Sequence, residues 1–323
     1  MIKDLYGLNV HSCTRLSLGA GSNTYILDTD KGRYLLKNPS KSSMNTPELE
    51  PALCSYLLSR GIPACQFIPS LKGEYICHVD GQLYHLQRFI EGKTYDLNTA
   101  PEWLMRESAA MLGRIHTALK DYKGLPVGIG QDFFKFMTPE RAAASYEKSL
   151  RIAEESGDTQ SSEDLRYRLK LMERFPVESI NLSKLTCSST HGDYFISQII
   201  CGEDKINAVI DWTTACVHPL VWEIIRSFVY AEPSCREGII ETEKLVSYLQ
   251  EYLKHASLKK EDIYEMPGLF FYQIGVCDYY GQYYNSEAEN RSIYLHQALF
   301  STRLMKWFEE NLDMLTNTLV KSF

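Results

Sequence analysis

The sequence contains no CxxC pair, no block of basic charge, no internal repeat and no low-complexity tract. It also has no apolar run near the roughly 18 residues that a bilayer-spanning helix needs. Each absence excludes a class. Nine cysteines, odd in number and scattered, fit neither a disulfide framework nor a zinc site, and read as reduced, buried thiols. A net charge of -7 spread over 323 residues gives no electrostatic footprint for nucleic acid or an anionic membrane surface, so small or neutral partners are expected. The opening MIKDLYGLNVHS lacks the apolar core of a signal peptide, and a soluble, cytoplasmic protein is the expectation. Single cores stop growing at about 250 to 300 residues, so this length predicts two lobes.

The first ninety residues read as strands. Thr14 to Leu18, Thr24 to Asp28 and Arg33 to Lys37 are short and β-branched or aromatic, and the turn signals GAGSN and DTDKG separate them. Pro47 to Arg60 carries Leu49, Leu53, Tyr56 and Leu57 at helical spacing and is stopped by Gly61 and Pro63. Strands at Glu74 to Val79 and Leu83 to Ile90 follow. From residue 91 the texture turns helical, beginning with one long amphipathic face: Leu104, Ser108, Met111, Leu112, Ile115 and Leu119. The expected division is therefore residues 1–90 and 91–323, an α+β chain with a small antiparallel sheet followed by a larger, mainly helical part. ESGDTQSSED (155–164) reads as a loop, with Ser161 and Asp164 as a capping box for the next helix. Arg166, Arg168, Lys170 and Arg174 read as a solvated helix face.

One stretch departs from its helical surroundings. In THGDYFISQIICGEDKINAVIDW, two apolar strands, Ser197 to Cys201 and Ala208 to Ile210, are joined by GEDK. Asp193 precedes the first strand and Asp211 follows the second, so a hairpin brings both carboxylates to one mouth. With the Gln198 amide they form an all-oxygen donor set, suited to a hard cation such as Mg²⁺. One carboxylate is free to accept a hydroxyl proton while the other holds metal, a division of labour that belongs to phosphoryl transfer. Upstream, the glycine-rich turn Gly19-Ala20-Gly21-Ser22-Asn23 offers backbone amides to phosphate, and Lys37 follows one strand later as a compact positive charge.

HGDYFISQ followed by AVIDW, preceded by GAGSNTYIL and a strand ending LLK, resembles the aminoglycoside phosphotransferase and choline kinase family, relatives of the protein kinases. GRIH (113–116) and ACVHPLVWEIIRSF (215–228) extend the likeness in the same order. The resemblance implies a two-lobed protein-kinase-like fold, ATP or GTP as co-substrate, Mg²⁺, and a small-molecule hydroxyl as acceptor. It implies Asp193 as the catalytic aspartate, Asp211 and Gln198 on the metal, and Lys37 on the phosphates with Glu50 as its ion-pair partner and Glu48 as runner-up. Residues 19–23 would cover the phosphates, and the backbone from Gln87 through Phe89 to Ile90 would be the adenine hinge. His191 would brace the loop. Two positions differ from the family: Gln198 stands where asparagine is usual, and Glu223-Ile224 where aspartate and leucine are common.

The alternatives are a catalytically silent kinase-like binding protein, favoured by the substituted amide at 198, and a metal-dependent phosphohydrolase, which leaves the glycine turn and Lys37 without a role. The tyrosine-rich segment 264–294 reads as helix packing, with an acceptor pocket for a cationic amine as the second reading. The remaining histidines, His85 among them, have no ligand spacing and read as structural or exposed.

Overall fold

The computed structural model describes the chain apart from residues 17–21, 40–45, 97–98, 129–134 and 176–181. It forms two compact units. One comprises Met1–Pro126 and Ser189–Val217, the other Val127–Ser188 and His218–Phe323. The fold is mixed α+β, with the antiparallel sheet in the amino-terminal part and helices dominating the rest.

In the first unit a short helix α1 (Ile2–Tyr6) precedes strands β1 (Val10–Leu16), β2 (Ser22–Thr29) and β3 (Gly32–Pro39), then helix α2 (Glu50–Ser59). Strands β4 (Phe67–Ile68), β5 (Cys77–Val79) and β6 (Gln82–Arg88) follow, and α3 (Glu102–Leu119) closes the continuous part. The main sheet runs β1-β2-β3-β6-β4, with β5 on β6. Strict alternation divides its faces. Leu27, Tyr34, Leu36 and Leu86 pack against Tyr6 and Leu8 of the amino-terminal segment. The other face carries Lys37 and, directly across the ladder, His85. The α3 stripe is buried at Leu104, Ser108, Met111, Leu112, Ile115 and Leu119 as its spacing predicts. β1 begins four residues earlier than expected because Val10–Leu16 pairs along nearly all of β2.

The returning segment contributes β8 (Ile199–Cys201) and β9 (Ile206–Val209), which follow β7 (Cys187–Thr190) and precede β10 (Cys216–Pro219). The hairpin is as expected, although Ile196–Gln198 forms a 3-10 turn and not the start of the strand. In the GEDK turn the Gly202 amide donates to the Lys205 carbonyl at 2.8 Å. The hairpin is stitched into the unit: Cys201 and Lys93 exchange both backbone hydrogen bonds, and Val209 donates to Pro63 at 2.9 Å.

The second unit is helical: α4 (Pro139–Ser156), α5 (Thr159–Met172), α6 (Leu220–Val229), α7 (Pro233–Arg236), α8 (Thr242–Leu253), α9 (Lys260–Val276), α10 (Tyr279–Asn285) and α11 (Ala288–Ser322). Two expectations are corrected here. ESGDTQSSED is not a loop: α4 ends on Gly157 in the left-handed conformation, and the Asp158 carboxylate, not Ser161, caps α5 by accepting from the Ser161 amide. Arg168 is not solvated. It is fully buried, donating from Nε to Thr302 Oγ1 at 2.9 Å, from Nη1 to Tyr146 Oη and the Ile274 carbonyl at 3.0 Å each, and from Nη2 to Ser301 Oγ at 2.6 Å. Its other neighbours on the basic face, Arg166, Lys170 and Arg174, are exposed.

Of the tyrosines in 264–294, Tyr272 and Tyr280 are buried in packing while Tyr264 is 57% exposed. Among the described residues no helix is long and apolar enough to cross a membrane. No disulfide joins any of the nine cysteines. Six are buried, and Cys13 is exposed, contrary to the expectation that the thiols lie inside.

Arg168→Leu strands several buried acceptors at once, so urea unfolding is expected to show a loss of at least about 3 kcal/mol. Lys170→Ala, two residues on, should change stability by less than about 0.5 kcal/mol.

Candidate active site

Lys37 and Asp211 are 174 residues apart in sequence, yet the lysine Nζ lies 2.7 Å from Asp211 Oδ1. Lys37 points inward from β3 by the alternation of the strand. Asp211 is aimed by its backbone, with φ 65° and ψ 59°, a left-handed conformation that a non-glycine residue holds only at some cost. Thr213 Oγ1 donates to the same carboxylate oxygen at 3.2 Å. Burial alone would push the Lys37 ammonium pKa down, but the facing carboxylates of Glu50 and Asp211 outweigh it and hold it above the ordinary lysine value. For Asp211 burial pushes upward, and the Lys37 ammonium reverses the sign, leaving its pKa lowered.

His191 ties the two aspartate segments together. Its Nδ1 accepts from the Asp193 amide at 3.3 Å, so the other nitrogen carries the proton and Nε2 donates to the Ile210 carbonyl at 2.9 Å. The ring is fully buried and lies 4.4 Å from that of Trp212, centre to centre. Gly192 sits at φ 87°, and a Cβ there would overlap the Thr214 carbonyl oxygen. Asp193 is half-exposed at the open side of this loop. Gln198 is held by its backbone: its amide donates to Phe195 at 2.8 Å, and its carbonyl accepts from the Ile210 amide at 2.9 Å. Residue 198 is thereby locked beside the residue preceding Asp211.

Glu50 and Glu48 separate cleanly. Glu48 is exposed, whereas Glu50, the first residue of α2, is buried. Glu50 does not form an ion pair with Lys37 here, since that ammonium is on Asp211. Its Oε1 accepts from the Trp212 amide at 3.1 Å, and its Oε2 lies 4.0 Å from His85 Nε2. Burial pushes the Glu50 carboxyl up to about 7, with the Lys37 ammonium pulling the other way. Burial pushes the His85 imidazole down to about 3, and Lys37 acts in the same direction. Gln87 is buried, its Nε2 3.3 Å from His85 Nδ1. The Phe89 amide donates to the Arg33 carbonyl at 3.2 Å, so it belongs to the sheet, and its ring lies under the Arg33 guanidinium at 5.0 Å.

Of the glycine-rich turn, Gly19, Ala20 and Gly21 lie outside the described residues. Ser22 and Asn23 open β2, and the Asn23 side chain accepts from Arg15 at 2.6 Å. The residue that sequence reasoning missed is His85, which had no motif to mark it. Its register opposite Lys37 reveals it. Asp211 and Gln198 present oxygen donors only, a carboxylate and an amide, which fits a hard divalent cation better than a soft one.

The sequence pattern of the phosphotransferase enzyme family (APH) matches residues 12–256. The chain belongs to that family. A homoserine kinase of Methylobacillus flagellatus is 24% identical over 210 residues, covering 65% of this chain and 60% of the relative. The chain thus spans about three fifths of the curated relatives it matches. Among solved structures, a spectinomycin phosphotransferase in complex with ADP and spectinomycin is 16% identical, with a TM-score of 0.64, over 100% of this chain and 97% of that one. An amicoumacin kinase in complex with AMP-PNP, Ca²⁺ and Ami is 14% identical, with a TM-score of 0.63, over 93% and 90%. These likenesses show that the fold is the protein-kinase-like one of the family's phosphotransferases.

Two outcomes follow. Gly192→Ala places a side chain where both conformation and space forbid it, and unfolding should show a loss of more than about 2 kcal/mol. His85 titrates with a depressed folded pKa, so its contribution is present above the ordinary histidine range and lost as pH falls from about 6.5 towards 3. Thermal unfolding from pH 7.5 to 4.5 should therefore fall less steeply in His85→Gln than in the parent.

Proposed function

We propose that the protein is a small-molecule kinase that transfers the γ-phosphoryl group of ATP or GTP to a hydroxyl of an aminoglycoside-like, amino-alcohol or sugar acceptor. The observation that carries this reading is the 2.7 Å contact of Lys37 with Asp211, beside a loop in which one histidine is bonded to both aspartate segments. Family membership and the homoserine kinase relatives support it, homoserine itself being an amino-alcohol.

In this reading residues 1–90 form the nucleotide-binding lobe and 91–323 the catalytic and acceptor-binding lobe. Asp193 orients the acceptor hydroxyl and takes its proton as the oxygen attacks the γ-phosphorus, while the bond from that phosphorus to the β–γ bridging oxygen breaks and ADP or GDP leaves. Lys37 leaves Asp211 for the α- and β-phosphates, and Glu50 is placed to receive its charge. Gly19 to Asn23 cover the phosphates with backbone amides. Gln87 and Phe89 lead into the adenine hinge, where Ile90 supplies the first backbone amide beyond the sheet's hydrogen bonding. Asp211 and Gln198 would hold Mg²⁺, whose contribution when bound is to neutralise phosphate charge. The Gln198 amide would reach the metal on an arm one methylene longer than the family's asparagine, from a backbone anchored to Ile210.

Calorimetry with Mg-ATP and Mg-GTP tests the reading. The parent should bind at least one of them, and Asp211→Ala should lose the magnesium-dependent part of that binding. Asp193→Asn should keep binding but lower turnover by roughly 10²- to 10⁴-fold on whichever amino-alcohol, aminosugar or antibiotic is accepted. Absence of binding to either Mg-nucleotide refutes the reading, and binding without turnover on a broad acceptor panel favours a silent binding protein.

A further inference from the structure

His85 and Lys37 stand opposite one another on β6 and β3, so their side chains leave the sheet on the same face. His85 is wholly buried. Its Nε2 faces Glu50 Oε2 across 4.0 Å, and each of these two buried atoms is without a hydrogen-bond partner. Two orphaned buried polar atoms that face each other call for an explanation, because either one alone is costly to leave unmet. The ring is set by its other contacts. The Gln87 amide lies 3.3 Å from Nδ1 and, as donor, makes that nitrogen the acceptor and leaves the proton on Nε2, towards Glu50. Phe67 packs on the ring at 4.9 Å between centres.

Glu50 reaches further. Its second oxygen accepts from the amide of Trp212, the residue after Asp211. Gln87, His85, Glu50 and Trp212 therefore form a buried line from the strand before the hinge to the segment that aims Asp211. Approach by about 1 Å turns the facing pair into a hydrogen bond of ordinary length.

We propose that His85 is a positioning residue: its Nε2–H donates to Glu50 Oε2 and holds that carboxylate on the Trp212 amide, fixing the segment that presents Asp211 to a metal-nucleotide. A neutral, buried imidazole is what this donor needs. Lys37 from β3, Glu50 from α2 and Asp211 from the hairpin segment are the charged groups around it. The functional half of the proposal rests on the kinase reading above, while the hydrogen bond itself does not.

The test measures ATP affinity by calorimetry, with magnesium and with a chelator, for the parent, His85→Gln and His85→Met. Methionine fills the space without a donor and should weaken Mg-ATP binding about tenfold, while leaving chelator-condition binding within about twofold. Glutamine restores an amide donor and should recover most of the loss. In Glu50→Gln, adding His85→Met should cost little more, because the acceptor has already been altered. Equal losses for Gln and Met in both conditions, or no loss for Met, overturn the proposal. Nitrogen-15 NMR of the imidazoles in the parent gives an independent reading that survives if the Met variant does not fold. A neutral His85 protonated on Nε2 is expected, and protonation on Nδ1 overturns the proposal. If the parent binds no Mg-nucleotide, the kinase reading fails, and the ring tautomer still decides the His85–Glu50 bond.

Discussion

The contact between Lys37 and Asp211 is the constraint around which the first unit is arranged. A largely buried ammonium and a half-buried carboxylate stabilise each other only when both are well placed, and breaking such a pair leaves the ammonium uncompensated. Here placement comes from opposite sources. The lysine needs nothing beyond strand alternation, whereas the aspartate needs a left-handed residue, a hairpin stitched to Pro63 and Lys93, and a buried histidine bonded on both sides. The electrostatic consequence spreads outward. With Lys37 occupied, Glu50 keeps one oxygen on a backbone amide and turns the other towards His85.

Much of this was legible because polar residues at turns obey local rules. HGD and the aspartate after AVI are separated by two short apolar strands and a GEDK turn, and that pattern has one economical solution. The glycine in HGD is needed at positive φ under a carbonyl oxygen, so its place in the motif follows from steric exclusion. The family resemblance puts Glu50 ahead of Glu48, and the start of α2 separates them: Glu50 is its first residue and buried, whereas Glu48 lies in the turn before it and is exposed.

Arg168 departs from the wet face of its basic neighbours for a reason the sequence does contain. It sits among basic residues, which suggests a wet face, but Ser161, Leu165, Arg168 and Met172 recur at helical spacing and all four are buried. Periodicity outranks composition there. The start of α5 lies inside a long polar run for a similar reason, since Gly157-Asp158 is a helix stop followed directly by a helix start. His85 lies beyond such reasoning, because its role depends on the register of β6 against β3, which no local pattern states.

The first unit is discontinuous in sequence, since it takes residues 189–217 back into a body begun by residues 1–126. During synthesis the sheet and α3 emerge long before the hairpin that carries Asp211, and a chain leaves the ribosome from its amino terminus onward. Until residue 217 is out, Lys37 and Glu50 have no Asp211 and no Trp212 amide to meet. The polar face of the sheet therefore stays incomplete until the hairpin joins it, which makes the nascent unit a natural client for chaperones that hold incomplete domains.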